Sequence, residues 1–279
     1  MINRSSLKYT LKKILPHFLF SVILFVWQKS ILHCVTYIDR LRLRKFTEEK
    51  TVELTHRSQK FLLSISPSNG FIDKHIFLYG VYEPYMLDII REYLRVGETF
   101  VDIGANIGQH SMYAASIVGA SGSVYSYEPI PRIYTQLVKS SHLNHFEAII
   151  HPSNIALGAV ESIETLTISQ ENIGGSSLVL EENGAEKIEV QIKKGDDELL
   201  ALSSIQMIKI DVEGYEYEVL EGSRASLLKH APILLLEFSG EIYQKQRKGH
   251  GAMILTLLTE LGYTLYDIED NKKQVLDNN

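Results

Sequence analysis

The residues best placed to do chemistry sit in Ile208-Lys209-Ile210-Asp211-Val212-Glu213-Gly214-Tyr215-Glu216. Lys209, Asp211 and Glu213 recur every second position, so they share one face for as long as the chain is a strand. Three charges on a strand otherwise made of Ile and Val call for a partner or a ligand, because an unpaired buried charge is costly. Asp211 or Glu213 could orient or deprotonate a hydroxyl, with Lys209 paired to either. The alternative is a structural ion pair at the sheet edge. Glu237, closing Leu234-Leu235-Leu236, ends the next predicted strand and can join the cluster. Carboxylates at neighbouring strand ends could hold a divalent cation, but nothing in the spacing demands one, so no metal is expected.

A second string, Val101-Asp102-Ile103-Gly104-Ala105-Asn106-Ile107-Gly108, reads as a strand running through a glycine loop into a helix. Gly104 and Gly108 allow a tight turn and a close ligand approach. The dinucleotide pattern G-x-G-x-x-G is not met, since Asn106 lies between the glycines and the third glycine is missing. Asp102 would repel a pyrophosphate but suits a cation such as a sulfonium, which favours S-adenosyl-L-methionine over NAD. A phosphate-binding P-loop is excluded, because no G-K-[ST] follows. Glu128 ends Tyr125-Ser126-Tyr127-Glu128-Pro129, where an acid can accept both hydroxyls of a ribose. His110, just inside the helix, is a candidate base, although a histidine there more often packs against the sheet or faces solvent. Gly174-Gly175-Ser176-Ser177 reads as a flexible hydroxyl-bearing loop or an ordinary hairpin turn. The single cysteine, Cys34, lies far in sequence from these strings and offers them no nucleophile.

The elements that must position these residues alternate from Thr99 onward. Strands are expected at Thr99–Ile103, Ser123–Tyr127, Ala148–His151, Ile205–Ile210, Ile233–Phe238 and Tyr263–Ile268. Helices are expected from Gly108 to Val118, Arg132–Leu143, Glu216–Leu228 and Ala252–Leu261. That order predicts an α/β fold, a Rossmann-like doubly wound and mostly parallel sheet with helices on both faces. Its ligand belongs at the carboxyl ends of the strands, where the motifs fall. Leu166–Ile168 and Ile188–Ile192 read as a β-hairpin insertion added to the sheet edge. Further upstream, Asn69-Gly70 between Phe61–Ile65 and Phe71–Phe77 reads as a hairpin turn, and Glu83–Arg95 as a helix.

Together these strings resemble the FkbM-like family of S-adenosylmethionine-dependent methyltransferases. The resemblance rests on Val101–Gly108, Tyr127-Glu128-Pro129 with Pro131, Asn154-Ile155-Ala156-Leu157, Gly174–Ser177, and Ile208–Glu216 followed by Leu220-Glu221-Gly222. It runs in order from about Tyr82 to Phe238. It implies a class I methyltransferase domain that moves methyl groups to hydroxyls on sugars, glycans or natural products. On the same ground Asp102, Gly104, Asn106 and Gly108 would serve the methionine end, Glu128 and Pro129 the ribose, and Asn154 or Ala156 the adenine side. Asp211 and Glu213, with Lys209, would face the reacting centre. Two rivals stay open: an NAD(P)-dependent oxidoreductase, and a non-catalytic, membrane-tethered cofactor-binding module.

Charge separates the two ends of the 279-residue chain. Residues 1–60 hold 12 Lys and Arg against 4 Asp and Glu, and the remainder 16 against 30. An acidic body argues against nucleic acid as a partner. In the basic head, Ile14–Trp27 is apolar but shorter than the ~20 residues a spanning helix needs. No small-residue cleavage site follows it. Lys8, Lys12 and Lys13 flank it on one side and Arg40, Arg42, Arg44 and Lys45 on the other. Such symmetry suits peripheral contact of residues 8–45 with an anionic, cytoplasmic membrane face, or a helix packed on protein. The expected organisation is an extension over 1–80 and a methyltransferase domain over 81–279.

Overall fold

The computed structural model describes residues 39–168, 176–178, 186–237, 249–269 and 272–275. The chain divides into two units, residues 1–47 and 48–279. Of the first, residues 39–43 are helical and the chain then turns, with Phe46 N donating to Leu43 O. The apolar run Ile14–Trp27 lies outside the described residues. Among the described residues no helix is long and apolar enough to cross a membrane. The expected boundary at 80–81 falls inside the second unit.

That unit is built on five parallel strands: β3 (Thr99–Ile103), β4 (Ser123–Tyr127), β5 (Ile150–Ser153), β9 (Met207–Ile210) and β10 (Ile233–Leu236). Their order across the sheet is β10-β9-β3-β4-β5. The chain steps outward from β3 through β4 to β5, then returns to β3's other side for β9 and β10. This reversal opens a crevice between the carboxyl ends of β3 and β9. The covering helices are α1 (Phe71–Tyr79), α2 (Pro84–Tyr93), α3 (Gln109–Val118), α4 (Pro131–Leu143), α5 (Gly195–Leu199), α6 (Glu216–Gly222), α7 (Arg224–His230) and α8 (His250–Glu260). Proline at the first position of α2 and α4 costs no hydrogen bond and presets the helical φ.

Strand periodicity divides the core. Val101, Ile103, Ile208 and Ile210 point to one face and pack with Val219, Leu220, Leu227, Ile254 and Leu257. Each such fully buried side chain contributes about 1.5–3 kcal/mol. The opposite face carries Phe100, Asp102, Met207 and Lys209, with α3 over Asp102. In register, Ser126, Asp102 and Lys209 are direct neighbours on β4, β3 and β9. A polar row therefore crosses an otherwise apolar sheet.

Four expectations are corrected. The hairpin turn is at Arg57-Ser58, joining β1 (Lys50–His56) to β2 (Gln59–Ile65). Arg57 takes the left-handed conformation there (φ 53°). Asn69 is instead buried in a 3-10 turn, donating to Asp73 Oδ1 at 3.1 Å and to Gln136. That turn leads into α1, so Phe71–Phe77 is helix. The insertion, β7 (Ser162–Ile168) with β8 (Glu186–Lys194), is a hairpin as expected. It joins β6 (Ala156–Gly158) in a separate three-stranded sheet and does not extend the central edge. Tyr263–Ile268 adds no central strand: β11 (Tyr266–Glu269) pairs antiparallel with β12 (Lys272–Val275). The helix expected over Glu216–Leu228 is broken at Ser223 into α6 and α7, where Gly222 lies against the backbone of Gly158.

Candidate active site

Lys209 is the centre of the polar row, and it is only 1% exposed. Its ammonium reaches Asp211 Oδ2 at 3.1 Å and Asp102 Oδ1 at 3.4 Å, and donates to Gly104 O at 3.2 Å. Burial works against the charge, but Asp211 and Asp102 outweigh it and hold the pKa above that of an ordinary lysine. Asp102 accepts from Ser111 Oγ at 2.7 Å, and Ser111 is 2.8 Å from Ser126 Oγ. The ion pair is thus anchored on three strands and a helix.

Gly104 begins the loop after β3 at φ 77°, and a Cβ there would lie 1.8 Å from Asp211 O. Only glycine lets β3 and β9 stay this close at the crevice. The amides of Gly104 and Ala105 both donate to Tyr127 O at 3.0 Å. Asn106 takes φ 51°, accepts from Ile107 N through Oδ1 at 2.7 Å, and donates its own amide to Glu128 Oε2 at 3.0 Å. Glu128 Oε1 accepts from Ile130 N at 2.8 Å. Burial nevertheless pushes the Glu128 carboxyl up to about 7. Asn154 Nδ2 donates to the carbonyls of Glu128 and Pro129 at 2.8 and 3.0 Å, fixing the turn that carries the acid.

Past β9 the strand face ends at Ile210, and Asp211 and Glu213 continue it only as a loop. Glu237 N donates to Ile210 O at 3.0 Å, which sets Glu237 beside Asp211 one step beyond the last strand pair. Their carboxyls share a hydrogen bond. Burial opposes the Asp211 charge, but Lys209 and that bond hold its pKa below the usual carboxylate value. Burial and Asp211 push Glu237 up to about 9. Glu213 follows at φ 50° and is pushed to about 7 by burial and then by Asp211, Glu216 and Glu83. Its carbonyl accepts from Ser177 Oγ at 2.6 Å. Ser177 is itself bridged in both directions to Thr167 on β7. The serine end of the Gly174–Ser177 string therefore pins the loop that carries Glu213; Gly174 and Gly175 lie outside the described residues.

These elements enclose one cavity at the crevice. Lys209, Asp211 and Glu213 line it with Glu237, as do Gly104, Asn106, Glu128, Pro129 and Ala156. Asp102, Gly108 and Asn154 stand behind that wall: Asp102 holds Lys209, Gly108 caps α3 at φ 89°, and Asn154 holds the Glu128 turn. The sequence reading left out Tyr82 and Glu83. The Tyr82 backbone exchanges 2.7 Å hydrogen bonds with the Gln109 side chain. The Glu83 pKa is raised by burial and by Asp211, and Glu83 bonds to Tyr82 and Tyr85. An acid between two tyrosines ahead of a helix-starting proline was the available signal. Among the described residues no group of three or more His, Cys, Asp or Glu side chains could hold a metal ion.

A parallel sheet reversing at a glycine loop, with acids just past three strand ends and Asp102 inside β3, defines a Rossmann-like fold of the class I methyltransferase kind. The chain belongs to the FkbM methyltransferase family, whose model, "Methyltransferase FkbM domain", matches residues 102–265. Among curated relatives it is 29% identical over 153 residues to Methyltransferase sdnD of Sordaria araneosa, covering 44% of this chain and 59% of that one. It is 28% identical over 151 residues to the hexuronic acid methyltransferase AglP of Haloferax volcanii, covering 50% of this chain and 57% of that one. The matches thus span less than two thirds of either relative. Among solved structures it is similar to a Methyltransferase FkbM of Methylobacillus flagellatus, with TM-score 0.40, 15% identity, and coverage of 67% of this chain and 48% of that one.

Proposed function

We propose that the chain transfers a methyl group from S-adenosylmethionine to a hydroxyl of a sugar, glycan or natural-product acceptor. The observation that carries this reading is the charge of the cavity wall. Glu128, Asp211, Glu213 and Glu237 line it against one ammonium, Lys209, which is already paired. A positively charged sulfonium meets the ionised Asp211 there and favours ionisation of the neighbouring acids, whereas a pyrophosphate would meet Asp211 with no free cation lining the cavity among the described residues. Gly104 and Asn106 with Glu128 are the residues that would hold the cofactor's polar parts, and Ile130, Ile133 and Ile155 offer apolar surface for a flat ring. Bound there, S-adenosylmethionine supplies an electrophilic methyl group, so the protein needs no nucleophile of its own.

The chain's own residues then orient the acceptor and move one proton. Asp211, kept ionised by Lys209, accepts a hydrogen bond from the acceptor hydroxyl and aims its oxygen. Glu213, with a pKa near neutrality, is the better proton acceptor as the new C–O bond forms. Lys209 acts through Asp211, holding it in place. We also propose that the methyltransferase unit takes in the hairpin and α1 before Tyr82, and that the basic residues 8–45 touch an anionic cytoplasmic membrane face. Sedimentation with anionic and neutral vesicles tests the second point, and equal binding to both would refute it.

Calorimetry of the full chain titrated in parallel with S-adenosylmethionine and with NAD tests the cofactor. Micromolar binding of the first alone is expected. Binding of NAD alone would overturn the reading and restore the oxidoreductase.

A further inference from the structure

The acid-lined cavity opens beside aromatic rings that the proposed reaction leaves unused. Phe71, His75 and Tyr79 recur one turn apart on α1, and Tyr82 follows it. Ring centroids lie 5.9 Å apart for Phe71–His75, 5.1 Å for His75–Tyr79, 5.3 Å for His75–Tyr82 and 6.2 Å for Phe71–Tyr82. Phe71 and Tyr79 are 52% and 55% exposed. Ile72 and Tyr82 belong to the cavity wall, and Tyr82, in ring contact with Phe71 and His75, joins the ring cluster to the cavity.

The two basic side chains that line the cavity among the described residues offer no free positive charge, and burial lowers the pKa of His75 in the ring cluster. Lys209 is matched by Asp102 and Asp211. His110 also lines the cavity and is 7% exposed, and its Nε2 is buried without a hydrogen-bond partner. Burial, and then Lys209, lower its pKa to about 4, so the ring is neutral at physiological pH. A buried nitrogen of this kind is unusual in a finished core and points to a ligand group that completes it. It can exchange a hydrogen bond with a hydroxyl, but it cannot neutralise an anion.

We propose that this mouth is the acceptor subsite, and that it takes a polyol without negative charge, neutral or amine-bearing, laid against Phe71, Tyr79 and Tyr82 with a hydroxyl reaching Asp211 and His110. The apolar C–H face of such a ring suits aromatic side chains, whose polar edges are left for its hydroxyls. An acceptor carboxylate would instead meet Asp211, which Lys209 holds ionised, with no unpaired cation lining the cavity among the described residues, and like charges brought together select against a ligand. The inference rests on the methyl-transfer reading and narrows its acceptor.

The test uses the full chain loaded with S-adenosylhomocysteine and three sugars of one ring and different charge: methyl glucoside, methyl glucosaminide and methyl glucuronide. Saturation-transfer NMR is expected to mark the ring C–H protons of the first two and to be about tenfold weaker for the glucuronide. The double variant Phe71→Ala/Tyr79→Ala should lose about fivefold of the signal. Its melting temperature and S-adenosylhomocysteine affinity should stay as in the parent, because both residues are half exposed and outside the cofactor wall. A glucuronide signal equal to the glucoside's, or no signal from either other sugar, overturns the subsite. In the second case, calorimetry on the same sample separates the causes. Cofactor-product binding without a sugar response overturns the subsite alone, and no binding at all overturns the methyl-transfer reading beneath it.

Discussion

At the ends of β3 and β4 each acidic oxygen has a partner, whereas at the ends of β9 and β10 the acids face one another. Asp102 is held by Ser111 and Lys209, and Glu128 by two backbone amides. Across the crevice Asp211 and Glu237 share a hydrogen bond, Glu213 stands beside them, and burial, reinforced by Asp211, raises Glu213 and Glu237 well above ordinary carboxyls. The same side-chain chemistry makes a fixed wall on one side and a poised face on the other. Folding stability alone would not favour the second arrangement, and buried acids with raised pKa values beside a cavity are the pattern expected of a functional site.

The most damaging way to break this contrast is to remove the ammonium on which both halves depend. Lys209→Met leaves Asp102 buried without its counter-charge and Asp211 without its tether. Breaking a buried pair from one side costs about 3–5 kcal/mol, so denaturant unfolding should show a loss of that size, together with loss of S-adenosylmethionine binding. A loss below about 1 kcal/mol would mean that Lys209 is not the joint between the halves. Gly104→Ala strikes the same seam from the backbone. Its Cβ would sit 1.8 Å from Asp211 O, so the strand ends must part, at about 1–3 kcal/mol for overpacking plus the strain of a positive φ. Cofactor binding should fall with stability, and an unchanged unfolding midpoint would refute the close approach.

A third change sharpens the contrast by reversing its sign. The Glu213 pKa is raised from 4.5 to about 7 in the folded chain, so the folded state holds its proton more tightly than the unfolded one. Its contribution to stability is complete below pH 4.5 and is lost as pH rises to about 7. Glu213→Gln should therefore stabilise the chain at pH 8, by about 1 kcal/mol after allowance for partial solvent screening, and leave stability at pH 4 nearly unchanged. Turnover should rise with pH through about 7 in the parent and lose that limb in the variant. A limb that survives near 7 would mean that Glu213 is not the proton acceptor, and a limb displaced far below neutrality would assign that role to Asp211, whose pKa is lowered.

How much of this could be read from the residues follows from which contacts are local. The glycine loop, the strand-end acids and five central strands were legible because each is a run of neighbours with a period of two or a forced turn. The pairing of Asp102 with Lys209 was not, since it depends on β3 and β9 lying side by side although the two residues are 107 apart in the chain. Nor did the residue types show that Asp102 and Asn154 serve the wall from behind. The Asn69-Gly70 signal failed for a related reason: Asn69 finds Asp73 and Gln136, and buried side-chain bonds outweigh turn propensity. Arg57-Ser58 closes the real hairpin with neither of the usual turn residues, supported by bidentate bonding of Arg57 to Asp88 at 2.8 Å.

The smallest effect tests whether the poised face is held in place or only crowded into it. Glu213 occupies the left-handed region at φ 50° with Gly214 at φ 98° after it, and a non-glycine residue there costs about 1–2 kcal/mol that neighbours must offset. Ser177 offers one such neighbour through its 2.6 Å bond to Glu213 O. Because Ser177 is bridged to Thr167, that bond transmits the position of the inserted sheet to the reactive loop. Ser177→Ala should cost about 1 kcal/mol, the worth of one hydrogen bond. It should lower turnover several-fold with cofactor affinity unchanged, since the wall formed by β3 and β4 is untouched. Equal losses in turnover and cofactor affinity would show that the two halves are not separable. A loss of stability with full turnover would show that Glu213 is placed by its own loop rather than by the insertion.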